Sequence, residues 1–207
     1  MPLSPNSFKS PPTGPGQPVW ELARWMPRQG AWTVDDYLEL EGPAVEFDQG
    51  TIEVLDMPSQ AHQLLAQFFL LALHPFVTSR GLGRVLMAPI PVQLWEGKFR
   101  EPDVVFIRTD RITDSAYCDY ADLVLEVVSD GAANRRRDLE IKPREYAKAG
   151  IAEYWIMDPE QQRVLVLKLN QGQYEQVGEF RRGQIAASAA LPGFQLPVAA
   201  WLDAPRA

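Results

Sequence analysis

A glutamate stands in the middle of an apolar run, "DLVLEVVS" (122–129), and no other feature of the chain restricts its fold as much. An ionised carboxylate is costly to hold among valines and leucines unless a cation or hydrogen-bond donors compensate it. The run is too apolar for a strand facing water, so it is expected as a buried central strand. Strand side chains alternate with period two, which sets Val124, Glu126 and Val128 on one face and Leu123, Leu125 and Val127 on the other. Upstream, "EPDVVFI" (101–107) groups Glu101, Asp103, Val105 and Ile107 by the same rule, with Asp103 at the mouth of the strand. If the two strands are neighbours, Asp103 and Glu126 converge and invite a metal. Lys142 follows shortly after.

The chain between and around these strands reads as an alternation of elements. Thr33 precedes Asp35 and Asp36 and is placed to cap a short helix carrying Tyr37, Leu38 and Leu40. "AVEFDQGTIEVLDM" (44–57) reads as two short strands about the turn at Gly50, with Glu46 and Glu53 nearby. The stretch 58–81 predicts a helix whose buried face holds Leu64, Leu65, Phe68, Phe69, Leu71 and Ala72, with Gly81 where a C-terminal cap is expected. Further strands are expected up to Ile107, the "EGK" step making a turn. After the central strand comes a loop over "SDGAANRRRD" (129–138), then a helix "PREYAKAG" with Pro143 at its first position. Three more strands follow, and the tail from Gln184 is expected to add one short extended segment and a covering loop. This order points to an α/β (α+β) fold with a mixed central sheet flanked by helices.

The 207 residues, 46% of them hydrophobic, suit one globular domain over 29–207, preceded by a Pro/Gly-rich arm over 1–28 with little to bury. A net charge of -7 argues against binding nucleic acid through a broadly basic surface, so any such contact needs a local patch. Arg135, Arg136 and Arg137, next to the acids, are the best candidates for it. The lone cysteine, Cys118, cannot form an internal disulfide, no apolar run reaches membrane-spanning length, and the N-terminus lacks the apolar stretch of a secretory signal; the chain reads as cytoplasmic.

"VEFDQGTIEVLDMPSQAH", "EPDVVFI", "LVLEVVS", "RRRDLEIK" and "YAKAGIAEYWIMDP" together resemble the Uma-two family, a domain of unknown function grouped with restriction endonucleases in the PD-(D/E)XK nuclease-like superfamily. The likeness runs from about Thr33 to Leu169, and "AGIAEYWIMDP" is its most specific part. It implies an αβββαβ core and magnesium-dependent (or manganese-dependent) phosphodiester cleavage of DNA, with a homodimer as the default assembly. Carried over by position, Asp103 and Glu126 are the metal-binding acids together with the carbonyl of Val127, Lys142 is the catalytic lysine, and Glu46 is an additional upstream acid. His62 matches a histidine common in the family, and Asp138 is placed to pair with Lys142 or Arg135. The superfamily's lysine stands two residues after the second acid, where this chain has Val128; Lys142 replaces it only if the following segment brings its ammonium back.

Each residue also has a structural reading. Asp103 after a proline can be a turn cap, Glu126 half of a buried ion pair, Lys142 a solvated helix residue, His62 a cap or a satisfied core histidine, and the three arginines a solvated loop. Three functions therefore stand open: a metal-dependent deoxyribonuclease, a catalytically silent nuclease fold used for binding or oligomerisation, and a hydrolase of small phosphodiesters.

Overall fold

The structure, a computed structural model, describes residues 27–40 and 44–206. The arm expected over 1–28, with Trp20 and Trp25 in it, lies outside the described residues save for Pro27 and Arg28. Helix α1 (Val34–Leu38) starts where Thr33 accepts from the backbone of Asp36 while the Asp36 carboxylate accepts from the backbone of Thr33, a reciprocal cap. Strands β1 (Val45–Asp48) and β2 (Thr51–Val54) form the expected hairpin, with Gly50 in the left-handed region at φ 85°. They pair with β5 (Lys98–Arg100) and β4 (Val92–Trp95) in a small sheet of order β2-β1-β5-β4.

The main sheet has the order β10-β9-β8-β7-β6-β3. Its strands are β3 (Gly83–Met87), β6 (Val104–Arg108), β7 (Leu123–Val127), β8 (Glu153–Asp158), β9 (Arg163–Asn170) and β10 (Gln173–Arg181). Only β7 and β8 run parallel, and a parallel pair needs a crossover, which the helical stretch 132–148 supplies. With helix α2 (Gln60–Thr78) ahead of β3, the sequence α2-β3-β6-β7-crossover helix-β8 gives the expected αβββαβ core around a mixed sheet.

Period-two alternation of β7 separates two cores. Leu123, Leu125 and Val127 pack with Phe69, Leu73 and Val77 of α2, and each such fully buried side chain contributes about 1.5–3 kcal/mol. Val124 and Val128 pack on the other side with Tyr146, Ile151 and Tyr154. Three expectations are corrected. Leu71 is 65% exposed, because the buried stripe of α2 runs through Leu65, Phe69, Leu73 and Val77. The tail holds a hairpin, β11 (Ile185–Ala187) with β12 (Gln195–Pro197), and helix α5 (Val198–Asp203), whose Trp201 is buried in the first core.

The third correction bears on function. The segment read as a loop, 129–138, is mostly helical: α3 (Ala132–Arg136) passes through a π turn (Arg137–Ile141) into α4 (Lys142–Lys148). Its polar residues are held by tertiary partners. The Asn134 amide donates to the Asp56 carboxylate and the Asp130 carbonyl, and Arg135 grips Asp158 with both guanidinium ends at 3.0 and 2.9 Å. Lys142 is helical (φ -56°, ψ -40°) although Pro143 follows it. A proline ring presses on the carbonyl four residues back, and the wider π turn gives it room. The Asp138 carbonyl accepts instead from the Tyr154 hydroxyl at 2.9 Å.

Candidate active site

Ladder pairing of Val104 with Leu125 puts Asp103 and Glu126 side by side, one step beyond the last paired residues of β6 and within β7. Glu126 is 4% exposed. Its Oε1 accepts from the Lys142 ammonium at 2.7 Å and from the Tyr146 hydroxyl at 2.6 Å. Lys142 and Tyr146 are four residues apart, so one helix face carries both. Among the described residues no hydrogen bond reaches Oε2 of Glu126. Asp103 turns toward the end of the sheet, where its Oδ2 accepts from the backbone N–H of Val127 at 2.7 Å and lies 3.3 Å from Nε2 of His62. The same imidazole nitrogen stands 3.1 Å from the Val127 carbonyl.

The crossover returns the lysine to the acids. Its ammonium, 3% exposed, faces Glu126 at 2.7 Å, Asp138 at 3.5 Å and Glu46 at 3.6 Å. Burial alone would lower its pKa; the three carboxylates outweigh that and hold it well above the ordinary lysine value. Burial likewise pushes the Glu126 carboxyl up, Lys142 opposes the rise and Asp103 adds to it. Burial and the charge of Glu126 push the Tyr146 hydroxyl far above the usual phenol, which keeps it a donor. For His62, burial is outweighed by Asp103, and the imidazole pKa rises.

Glu46 arrives from the small sheet. It is 1% exposed, pairs with Arg100 and accepts from the backbone N–H of Glu101 at 3.3 Å. Burial would raise its carboxyl, but Lys142 and Arg100 together keep it below the ordinary value. Arg100 in turn meets Glu145 of α4 at 2.8 and 3.0 Å, and Lys98 bridges Asp48 at 2.7 Å and Glu145 at 3.0 Å. These pairs fasten the small sheet to the crossover helix.

The three arginines do not form one phosphate patch. Arg135 is committed to Asp158 and Glu160, and Arg137 lies 3.4 Å from Glu53 and 3.6 Å from Asp138. Arg136 alone points outward, its side chain 72% exposed and 3.8 Å from Glu140. The helix that replaces the expected loop spreads consecutive side chains about 100° apart, which divides the cluster. Tyr146 and Arg100 were not singled out from the sequence. Helical spacing from Lys142 offered a signal for Tyr146, whereas nothing local marks Arg100.

Beside His62 and Val127 opens a cleft of about 600 Å³. Asp56, Asp130 and Glu160 line it against a single guanidinium, Arg182, itself paired with Asp203 at 3.0 and 2.9 Å. Among the described residues, no three His, Cys, Asp or Glu side chains group as a ready cage for a metal ion. The available set is the Asp103 and Glu126 carboxylates with the Val127 carbonyl. Oxygen donors of this kind suit magnesium, which is commonly held by one or two carboxylates and completed by water and substrate phosphate. Three acids, Glu126, Glu46 and Asp138, gather about Lys142, and Asp103 stands beside Glu126; among the described residues no hydrogen bond reaches Oδ1 of Asp103 or Oε2 of Glu126, and these are the oxygens a hard cation would take.

A model of the Uma2 family, described as "Putative restriction endonuclease", matches residues 34–199. The chain belongs to this family. Among solved structures, a protein of Anabaena variabilis described as "a putative nuclease belonging to DUF820" is similar with a TM-score of 0.68 at 18% identity, covering 84% of this chain and 99% of that one. At that identity the likeness shows the fold, a mixed sheet flanked by helices. No curated protein matches the chain. Among the described residues, no helix of the Uma2 chain is long and apolar enough to cross a membrane.

Proposed function

We propose that this Uma2 protein is a metal-dependent endodeoxyribonuclease, and the observation that carries the reading is the adjacent Asp103 and Glu126 with the Lys142 ammonium on Glu126 Oε1. Asp103, Glu126 and the Val127 carbonyl would hold magnesium or manganese. When bound, such an ion lowers the pKa of a water and polarises the phosphate. Lys142 makes one short hydrogen bond with its three N–H donors, at 2.7 Å, while Glu46 and Asp138 lie beyond good hydrogen-bond length. Its remaining donors are free to orient an attacking water and to stabilise charge growing on the phosphoryl oxygens. Tyr146 and Lys142 fix one oxygen of Glu126, which leaves the other for a cation. Glu46, 3.6 Å from the ammonium, adds to the negative field that keeps the lysine charged.

The acidic cleft supports a metal-dependent reading over a silent DNA-binding module, since phosphates approaching Asp56, Asp130 and Glu160 are repelled unless a cation intervenes. One cluster per chain cuts one strand, so cleavage of both strands at one place calls for two copies, and a homodimer is part of the proposal. The free, buried Cys118 fits a reducing cytoplasm. The test is calorimetric titration with magnesium and manganese, paired with cleavage of plasmid, single-stranded and dinucleotide substrates. Binding and plasmid cleavage that both vanish in Asp103→Asn and Glu126→Gln support the proposal. Absence of divalent binding by the parent protein refutes it, and turnover confined to dinucleotides shifts the substrate to small phosphodiesters.

A further inference from the structure

The cleft beside His62 and Val127 sets three carboxylates, those of Asp56, Asp130 and Glu160, against one guanidinium and no ammonium among its lining residues. That guanidinium belongs to Arg182, which directly follows β10, the edge strand of the main sheet. Its backbone is held on both sides. The N–H of Gln184 donates to the Arg181 carbonyl at 2.9 Å, the N–H of Arg181 donates to the Gln184 side chain at 2.6 Å, and Gly183 takes the left-handed conformation (φ 88°) that this tight turn needs. The side chain, 45% exposed, forks onto Asp203 at the end of α5, Nη1 to Oδ2 at 3.0 Å and Nη2 to Oδ1 at 2.9 Å. The carboxylate is 51% exposed, and ion pairs between groups so open to water contribute little to stability. The same fork is the arrangement in which a guanidinium meets two oxygens of a phosphate. Arg182 thus lines the cleft in a phosphate-gripping geometry, on a carboxylate that it can leave at small cost.

We propose that Arg182 binds a backbone phosphate of the DNA strand that enters the cleft, exchanging the Asp203 carboxylate for it. Arg135 cannot make that exchange as readily, because its partner Asp158 is fully buried and would be left as a stranded charge, whereas a released Asp203 stays hydrated. Position favours Arg182 as well. His62 and Val127 line the same cleft, so a strand gripped there lies against the end of the sheet that carries Asp103 and Glu126. Asp203 then acts as a competitor that occupies the guanidinium until a phosphate replaces it. The inference rests on nucleic acid being the substrate, but on neither the metal nor the cleavage step.

Fluorescence anisotropy of a labelled duplex oligonucleotide titrated with the full chain in calcium, at several salt concentrations, tests it without reading cleavage. Arg182→Ala should bind about three- to tenfold more weakly. The slope of log affinity against log salt should fall by about one. Arg182→Lys should keep the slope of the parent while binding less tightly, since it retains the charge and loses the fork. Asp203→Asn should bind about two- to fivefold more tightly than the parent, the gain being what the surface pair had withheld. In an Arg182→Ala background the same change should do nothing, because a general loss of negative charge would act in both backgrounds and a competition for Arg182 in only one. Parent-like affinity and salt slope in Arg182→Ala overturn the proposal, as does equal tightening by Asp203→Asn in both backgrounds, or a parent that binds no DNA. Metal uptake and plasmid cleavage alongside any of these results leave the nuclease reading standing alone. Binding that depends on Arg182 in a protein that neither takes up metal nor cuts DNA refutes the nuclease reading and keeps the phosphate contact.

Discussion

Replacing Lys142 with methionine preserves most of the side chain's volume and deletes its charge. The loss leaves Glu126, Asp138 and Glu46 without the ammonium that now lies 2.7, 3.5 and 3.6 Å from them. Breaking a buried ion pair from one side costs about 3–5 kcal/mol, because the remaining charge is uncompensated. With a urea m-value of about 2 kcal/mol/M, the unfolding midpoint at pH 7 should fall by roughly 2 M. The sign of the pH dependence follows from the same geometry. Without the ammonium the carboxyls of the folded state take up protons more readily than those of the unfolded chain, so the variant gains stability as pH falls. Its deficit against the parent should therefore shrink between pH 7 and pH 5. The parent shows the same sign at the alkaline end: its raised lysine pKa contributes stability that is fully present below about 10.4 and is lost only as pH rises through the higher folded value. Adding Glu126→Gln to Lys142→Met should recover part of the loss, since a neutral amide replaces an unpaired carboxylate. The measurement is urea unfolding followed by tryptophan fluorescence at several pH values. A single variant within about 0.5 kcal/mol of the parent at pH 7, the range of an ordinary surface substitution, would show that Lys142 is not the charge that holds the acids together.

Tyr146→Phe removes one of two donors on Glu126 Oε1 and should lower stability by about 1.5–3 kcal/mol while weakening divalent binding, as read by thermal unfolding and calorimetric titration; unchanged metal affinity would sever Tyr146 from the site. Arg135→Ala frees the buried Asp158 from a two-pronged partner, leaving Arg163 at 3.3 Å, and should cost about 1–3 kcal/mol, whereas Arg136→Ala should stay within about 0.5 kcal/mol. Equal effects in denaturant titrations would contradict the division of the arginine cluster.

Much of the scaffold was legible because its signals are local. Alternation in "DLVLEVVS" required a strand with different partners on its two faces, and both cores are found there. The reciprocal cap at Thr33, the hairpin at Gly50 and the stripe through Leu65 and Phe69 rest likewise on residues within a few positions of each other. Leu71 went astray because apolar content marks a helix more reliably than it marks which side of the helix is covered.

What the sequence determined by itself was that one acid stands at the mouth of an apolar strand and another inside a second such strand; that the two strands are neighbours was decided by the pairing of Val104 with Leu125. Tertiary structure decided how they are compensated. Lys142 comes from sixteen positions away, through a π turn that no local propensity announces, and Arg100 and Glu46 come from a separate sheet. Charge compensation acts through space over a few ångströms, without regard to order along the chain. The fate of Arg135, Arg136 and Arg137 was settled by the acids that folding happened to bring beside them.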